Sequence, residues 1–600
     1  MKAIKHSVQS GMGASVHENG TAFRVWAPHA DQVSVIGTFN DWNATAHPMT
    51  REENGTWYED IAAAKPGDEY RYRILSGDQE LSKIDPYARQ VTNSIGNGVV
   101  YGTDFDWQGD SYMMPAWNEA IIYEMHIGTF NDTGGGTPGT FDKAIERFDH
   151  LKMLGVNVIQ IMPCAEFSGD FSWGYNPAHL FAVESAYGGP DGMKRFVREA
   201  HRNGFAVILD VVYNHFGPQD LDLWRLDGWS ENDGGGIYFY NDWRKQTLWG
   251  DTRPDYGRGE VRTFIRDNAL MWLEEFHFDG LRWDMTLYIR TVHGNPHDEG
   301  NNLPDGWNLM QYVNHEVRER FPNALTIAED LQQNPWVTHD IGAGGAGFGS
   351  QWDAGFVHPV REAVTVAGDE HRCLDCIRDA LTMRYNDNAF QRVVYSESHD
   401  EVSNGKQRVP SEIAGDPGNW FAMKRSTLAV GLVFTAPGIP MIFQGQEFLE
   451  GEWFRDDVPL HWDQSEDFRG IVRLYRDLIR LRRNWFDNTR GLRGQHLNVF
   501  HTHVHNRVVA FHRFEHGGAK DDVIVVANFG NHTHDEYRLG FPREGLWKVR
   551  LNSDWSGYSE VFGGVHAYDT HAGNVPWHGM PCAANVAIAP YSLLILSQDG

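Results

Sequence analysis

Cysteine is scarce in this chain, with Cys164, Cys373, Cys376 and Cys582 the only four in 600 residues. So few exclude a disulfide framework as the source of stability at this length. Cys373 and Cys376 form a Cys-x-x-Cys pair within HRCLDCIRDAL, which reads as an amphipathic helix. No second Cys or His pair stands nearby at zinc-site spacing, so a reduced, structural pair is expected. Basic charge is also short: 52 Lys and Arg against 81 Asp and Glu leave a net charge of −29. That balance argues against nucleic acid or an anionic membrane as partner, since both are held by Lys/Arg clusters. No stretch approaches the ~20 apolar residues of a membrane span. The opening MKAIKHSVQSGMGASVHENG has no apolar segment of a secretory leader. A cytoplasmic protein is the expectation. Disorder is excluded by a hydrophobic content of 41% with 13% aromatic. Tryptophan, at 22 residues, is plentiful, and flat rings serve either packing or platforms for sugar faces.

Length and pattern divide the chain into three, here taken as 1–112, 113–487 and 488–600. The first part alternates in short runs (TAFRVWAP, QVSVIGTF, DEYRYRIL) broken by Gly, Asn, Asp and Pro, the pattern of a β-sandwich. The second part changes character. Apolar runs AIIYEMHIGTF, VNVIQIMP, AVILDVVYNHF, HFDGLRWD, LTIAED, RVVYSESHD and IPMIFQGQEF alternate with helical stretches, among them 141–154, 191–203, 260–276 and 308–320. Repeated β-then-α units of this size predict parallel strands with crossover helices. Seven or more strands over this length favour a central (β/α)8 TIM barrel, with a short insert at 217–258. Alternation returns in VVAFHRF, VIVVANF and YSLLILS, so a second β-sandwich closes the chain.

In such a barrel the chemistry sits where polar residues end the apolar runs. Those ends supply Asp210, Asn214 and His215, then Arg282 and Asp284, then Glu329, then His399 and Asp400. One carboxylate after a strand is often a helix cap. Four strand ends bringing acids or imidazoles to one rim point instead to an active site. Convergent carboxylates with an arginine suit glycoside cleavage, whose oxocarbenium-like transition state needs one carboxyl as acid and one carboxylate beneath the anomeric carbon. Arg282, two residues before Asp284, alternates onto the same face. A fixed cation there would keep Asp284 ionised as nucleophile. Glu329 must hold a proton, which carboxylate neighbours favour.

DVVYNH, GLRWD, IAED and SHD, in that order, resemble the four signature segments of the α-amylase family of retaining α-glucan enzymes. The resemblance implies Asp284 as nucleophile, Glu329 as general acid/base, and Asp400 as the third carboxylate gripping sugar hydroxyls. It also implies that His215 and His399 bind the sugar, that Arg282 and Asp210 support the nucleophile, and that Tyr175 in SWGYNP stacks on the ring. FRVWAPHADQVSVIGTFNDWN resembles a glycogen-binding-type module, in which Trp26 and Trp42 are either sugar platforms or sandwich core.

Within the family, RGEVRTFIRDNALMWLEEFHFDGLR, FPNALTIAED, GAGFGSQWDAGF and SHDEVSNGK look like glycogen branching enzymes, the last with its Gly405-Lys406 pair. Three features depart from that pattern: Tyr213-Asn214, Met285-Thr286, and QGQEF at 444–448, which is more typical of amylases and trehalose-releasing hydrolases. The expected activity is branching of an α-1,4-glucan such as glycogen, starch or amylose. Hydrolysis by the same site is the alternative, and a non-catalytic glucan-binding protein a remote one. In many amylases the counterpart of Asn214 ligates calcium. Asp220, Asp222 and Asp233 in the insert show no spacing of a calcium loop, so no metal or other cofactor is expected to be required.

Overall fold

The computed structural model describes residues 10–102, 104–132 and 134–600; residues 1–9 of the opening stretch read for a secretory leader lie outside the described residues. At its centre eight parallel strands close into a barrel. They are β1 (Ile122–Met125), β2 (Val158–Ile161), β3 (Ala206–Val211), β4 (Gly280–Trp283), β5 (Leu325–Ala328), β6 (Ser350–Trp352), β7 (Arg392–Val394) and β8 (Ile439–Phe443). β8 pairs back onto β1, with Met441 opposite Ile122. Every residue of these strands is buried, as parallel strands between a packed interior and a helical jacket must be, and their continuous apolar runs follow from that. Seven of the eight coincide with the runs read from the sequence. The other, β6, is Ser-Gln-Trp, three residues with two polar ones, and no apolar run marks it.

Helices Gly189–Arg202, Gly259–Glu274 and Pro304–Arg320 follow the expected periodicities. The last begins early because Pro304 fits the first turn, where its missing N–H costs nothing. The helix expected over 141–154 is two, Phe141–Ile145 and Phe148–Leu154. Between them Arg147 leaves helical geometry (φ −102°, ψ 6°), its guanidinium held by Asn131 at 2.9 Å and lying 4.3 Å from the Trp462 ring.

Ahead of the barrel, two antiparallel sheets face each other across Phe23, Val33, Trp57 and Tyr72. Trp26 belongs to this core, buried and edge-on to Tyr238 of the insert at 5.4 Å, whereas Trp42 is 38% exposed. After the barrel comes a six-stranded antiparallel sheet with a two-stranded partner, packed around Ile524, Leu539, Trp547 and Leu594.

Two of the three acids weighed in the insert hold the N-terminal domain. Asp222 accepts from Arg71 (2.8 Å) and the Ile84 N–H (2.7 Å), Asp220 accepts from Ser94 (2.9 Å), and Asp233 pairs with Arg225 inside the insert. The expectation of a reduced Cys-x-x-Cys pair is corrected: Cys373 and Cys376 form a disulfide. Cys373 caps helix Leu374–Thr382 from an extended backbone, which turns its sulfur over the first turn, where the Cys376 N–H reaches it at 3.2 Å. Cys164 and Cys582 are free and buried.

Candidate active site

The C-terminal ends of β1, β3, β4, β5 and β7 deliver one connected cluster to the barrel mouth. Arg282 on β4 is its hub and is wholly buried. Its Nη1 lies 2.7 Å from Asp210 Oδ2 and 3.4 Å from Asp284 Oδ1, and its Nη2 lies 2.7 Å from Glu329 Oε2. The guanidinium carbon sits 4.1 Å from the centre of the Trp352 ring on β6, so the cation has an aromatic floor as well as carboxylate partners. Asp210, opposite Arg282 in the strand register, also accepts from the Tyr175 hydroxyl at 2.6 Å. The Tyr175 ring stacks on His399 with centroids 5.0 Å apart. His399 in turn lies 3.3 Å from Asp400 Oδ2. Asp284 Oδ2 accepts from the Asn214 amide at 2.6 Å, and Asn214 Oδ1 faces Nδ1 of His215. All eight residues singled out in the sequence therefore belong to a single contact network.

The electrostatics separate these groups. Burial, then the Glu329 carboxylate, push Asp284 well above the usual carboxylate range, against the pull of Arg282 and the Asn214 amide. Arg282 pulls toward the ionised form as expected, but its two 2.7 Å contacts go to Asp210 and Glu329, and Asp284 lies 3.4 Å away. Burial raises Asp210 to about 6, Arg282 and Tyr175 opposing. Asp400 goes the other way. Although desolvation opposes it, the His399 imidazolium lowers Asp400 to about 2, and its side chain is 43% exposed, open to the mouth. His399 overcomes its own burial because Asp400 and then Glu124 hold it well above the usual imidazole range. His215 is pushed down to about 3 by burial, so its ring is neutral and works as a hydrogen-bonding group.

Glu124 joins the cluster and His126 borders it, and neither was singled out in the sequence. Glu124 on β1 accepts from the His399 N–H (3.0 Å) and faces its Nδ1 at 2.7 Å. Its signal was a lone acid inside the apolar run AIIYEM. Asn214 orients the nucleophile candidate, and a position weighed for calcium turns out to serve Asp284. His126, lowered to about 4 by burial, lies between Thr129 (3.0 Å) and the Ser172 carbonyl (2.9 Å). Among the described residues no group of three or more His, Cys, Asp or Glu side chains is placed to hold a metal ion.

The departures from the branching-enzyme pattern also acquire places. Met285 takes up a left-handed backbone (φ 35°, ψ 57°), uncommon for a side chain of its size and a mark of functional strain. That turn aims its N–H at Glu329 Oε2 (3.0 Å), while Thr286 Oγ1 donates to the Glu329 carbonyl (3.0 Å). In QGQEF, Gln444 bonds the His126 N–H (2.8 Å) and Thr129 (2.9 Å), Gln446 bonds Ser396 (2.8 Å), and Glu447 bonds Tyr123 (3.1 Å) and His150 (2.9 Å). These side chains stitch β8 to β1 and β7, so the segment braces the barrel wall.

Comparison with known proteins agrees with this architecture. Residues 11–88 match carbohydrate-binding module 48 (isoamylase N-terminal domain), 125–220 and 227–489 the alpha amylase catalytic domain, and 500–599 the alpha amylase C-terminal all-beta domain. The chain belongs to the α-amylase family. Among its curated relatives is the 1,4-alpha-glucan branching enzyme GlgB of Rhodospirillum rubrum, 32% identical over 97% of this chain and 80% of that protein. The enzyme of the same name from Salinibacter ruber is 30% identical over 98% and 96%. A solved pullulanase from Anoxybacillus sp. LM18-11 complexed with maltotetraose shares the fold, with a TM-score of 0.76 at 23% identity over 98% of this chain and 88% of that one. No helix of the described residues is long and apolar enough to cross a membrane.

Proposed function

We propose that this chain is a retaining 1,4-α-glucan branching enzyme that works through a glycosyl-Asp284 ester. The retaining chemistry is carried by the buried Arg282, which reaches Asp210, Asp284 and Glu329 at once, and the branching by the likeness to curated branching enzymes over nearly the whole chain. One guanidinium cannot balance three negative charges, so the three carboxyl groups favour a shared proton: at least one protonated and at least one ionised. Double displacement requires both states. Glu329 gives its proton to the departing O4 while Asp284 Oδ attacks C1. A glucan 6-hydroxyl then attacks C1, its proton returns to Glu329, and Asp284 leaves. Asp400, held ionised by His399, accepts from sugar hydroxyls, and Tyr175 presents its ring beside them. His215 and His126, neutral above their lowered pKa values, hydrogen-bond without adding charge.

No metal is required for these steps, because the carboxyl groups and Arg282 supply both the nucleophile and the acid. A cytoplasmic setting goes with the reading, supported by the sparse cysteines; the Cys373–Cys376 bridge would then meet a reducing medium. The substrate, a neutral α-1,4-glucan, needs no basic surface, in keeping with the −29.

Incubation with amylose tests the function. Branching gives new α-1,6 anomeric signals by proton NMR with few new reducing ends. Abundant reducing ends without α-1,6 linkages would make the enzyme a hydrolase.

A further inference from the structure

Behind the barrel's last helix, Arg469–Arg482, the C-terminal domain leaves a groove of about 490 Å³ that none of the chemistry above uses. Its wall is strand Gly545–Asn552, its lip the loop 553–569, and its far side Asp477 of the helix. Trp555 lies in this lip and is 49% exposed. Its neighbours show how the ring is packed. A Cβ placed on Gly557 would stand 2.4–2.5 Å from three adjacent atoms of the benzo ring, nearly equidistant from each, which puts the glycine against a ring face. Tyr558 meets the ring edge-on at 5.1 Å and 87°. Gly557 thus lies against one face of the ring, Tyr558 packs at right angles to it, and the exposed remainder of Trp555 lines the groove.

The platform is held in place. The Tyr558 hydroxyl donates to Asp477 Oδ2 at 3.0 Å, and Gly470 lets the helix approach so closely that a Cβ there would stand 2.1 Å from the Tyr558 carbonyl oxygen. The strand bulges between Val549 and Leu551, which turns Arg550 to Ser597 (2.8 Å) and Asp599. A bulge of this kind re-aims side chains beside a site. Tyr568, 73% exposed, stands just outside the groove, 6.2 Å from His566, which lines it.

We propose that this groove is a second carbohydrate site, which holds a segment of α-1,4-glucan against the exposed ring of Trp555 while another part of the same polymer occupies the barrel mouth. The inference rests on the proposed function for its ligand class. The volume falls in the range of small-molecule sites. An exposed aromatic ring beside the polar side chains of Asp477, Asn552 and Asp569 suits a neutral polyhydroxyl chain, and the acids disfavour an anion. A polymer held at two places meets the catalytic mouth at a raised effective concentration. The site therefore acts on capture of long chains and leaves the chemical steps alone.

Native gels containing glycogen and steady-state kinetics on amylose, with full-length wild type, Trp555→Ala and Tyr568→Ala, test this. The expected result is that Trp555→Ala migrates less retarded, raises KM for amylose about threefold or more and leaves kcat within about twofold, Tyr568→Ala following in the same direction. Tyr568 is too exposed for its loss to unfold the domain, which separates binding from stability. Unchanged retardation and unchanged KM in both variants would overturn the proposal. A wild type that makes no branches yet loses glycogen retardation with Trp555→Ala would sink the function and leave this site standing. A wild type that branches, with neither variant altered, would sink this site alone.

Discussion

Asp284 is held from three directions, by Arg282 at 3.4 Å, by Asn214 at 2.6 Å and by the backbone turn at Met285, and each constraint bears on its proton. Two substitutions of opposite sign follow. Asp284 must be ionised to attack, so whatever raises its pKa moves the acidic limb of kcat/KM upward. Asp210→Asn removes a negative neighbour, and the limb should move to lower pH. Asn214→Ala removes an amide that favours the ionised form, and the limb should move to higher pH, with kcat lower by about 10- to 100-fold for a lost buried hydrogen bond. Both limbs moving the same way would contradict the assignment. Glu124→Gln removes a counter-charge from His399, whose pKa should fall, and with less imidazolium beside it Asp400 should bind its proton less weakly. The measurable result is a His399 imidazole that loses its proton at lower pH than in the wild type, read by NMR titration of the ring. At this scale the sequence was readable wherever a polar residue ended an apolar run, as at Asp284, Glu329 and Asp400. Glu124 was harder to see, because its partner His399 is 275 residues away.

At the scale of elements, the loops after β3 and β4 show how sequence departures become supports. Met285-Thr286 anchors Glu329 through two hydrogen bonds, and the insert 217–258 spends Asp220 and Asp222 on the N-terminal domain. Asp222→Ala should therefore lower the thermal transition by the loss of two hydrogen bonds, about 1–3 kcal/mol, with turnover preserved. Differential scanning calorimetry beside an amylose assay checks this, and an equal effect from a chelator on the wild type would show that the insert holds calcium instead. Strand existence was legible for the long apolar runs and illegible for β6, since Ser350 and Gln351 are buried in a wall whose neighbours supply the hydrophobicity. The broken helix at Arg147 was likewise invisible, because Asn131 and Trp462, which hold that arginine, come from distant parts of the chain. The disulfide depended on a cap conformation that spacing alone does not specify.

On the scale of the whole molecule, three domains divide one task. The barrel carries the carboxyl groups, and the N-terminal module is fastened to it through the insert by Asp222, Asp220 and the His29–Asp227 contact at 2.9 Å. The C-terminal domain braces the barrel's outer helices, with Lys424 of the barrel and Asp554 buried together at 2.6 Å. The acidic surplus is mostly surface; the cluster at the mouth uses Glu124, Asp210, Asp284, Glu329 and Asp400. The second site proposed above would give the exposed ring of Trp555 a role that packing does not.

The most direct test of the account is to trap its intermediate. A Glu329→Gln variant given an activated glucosyl fluoride lacks the base that would free the sugar, so a glycosyl adduct should accumulate. Peptide mass spectrometry should find that adduct on Asp284, within the segment Gly280–Trp283 and the residues that follow it. An adduct on another carboxylate, or a wild-type reaction that inverts the anomeric configuration, would contradict it.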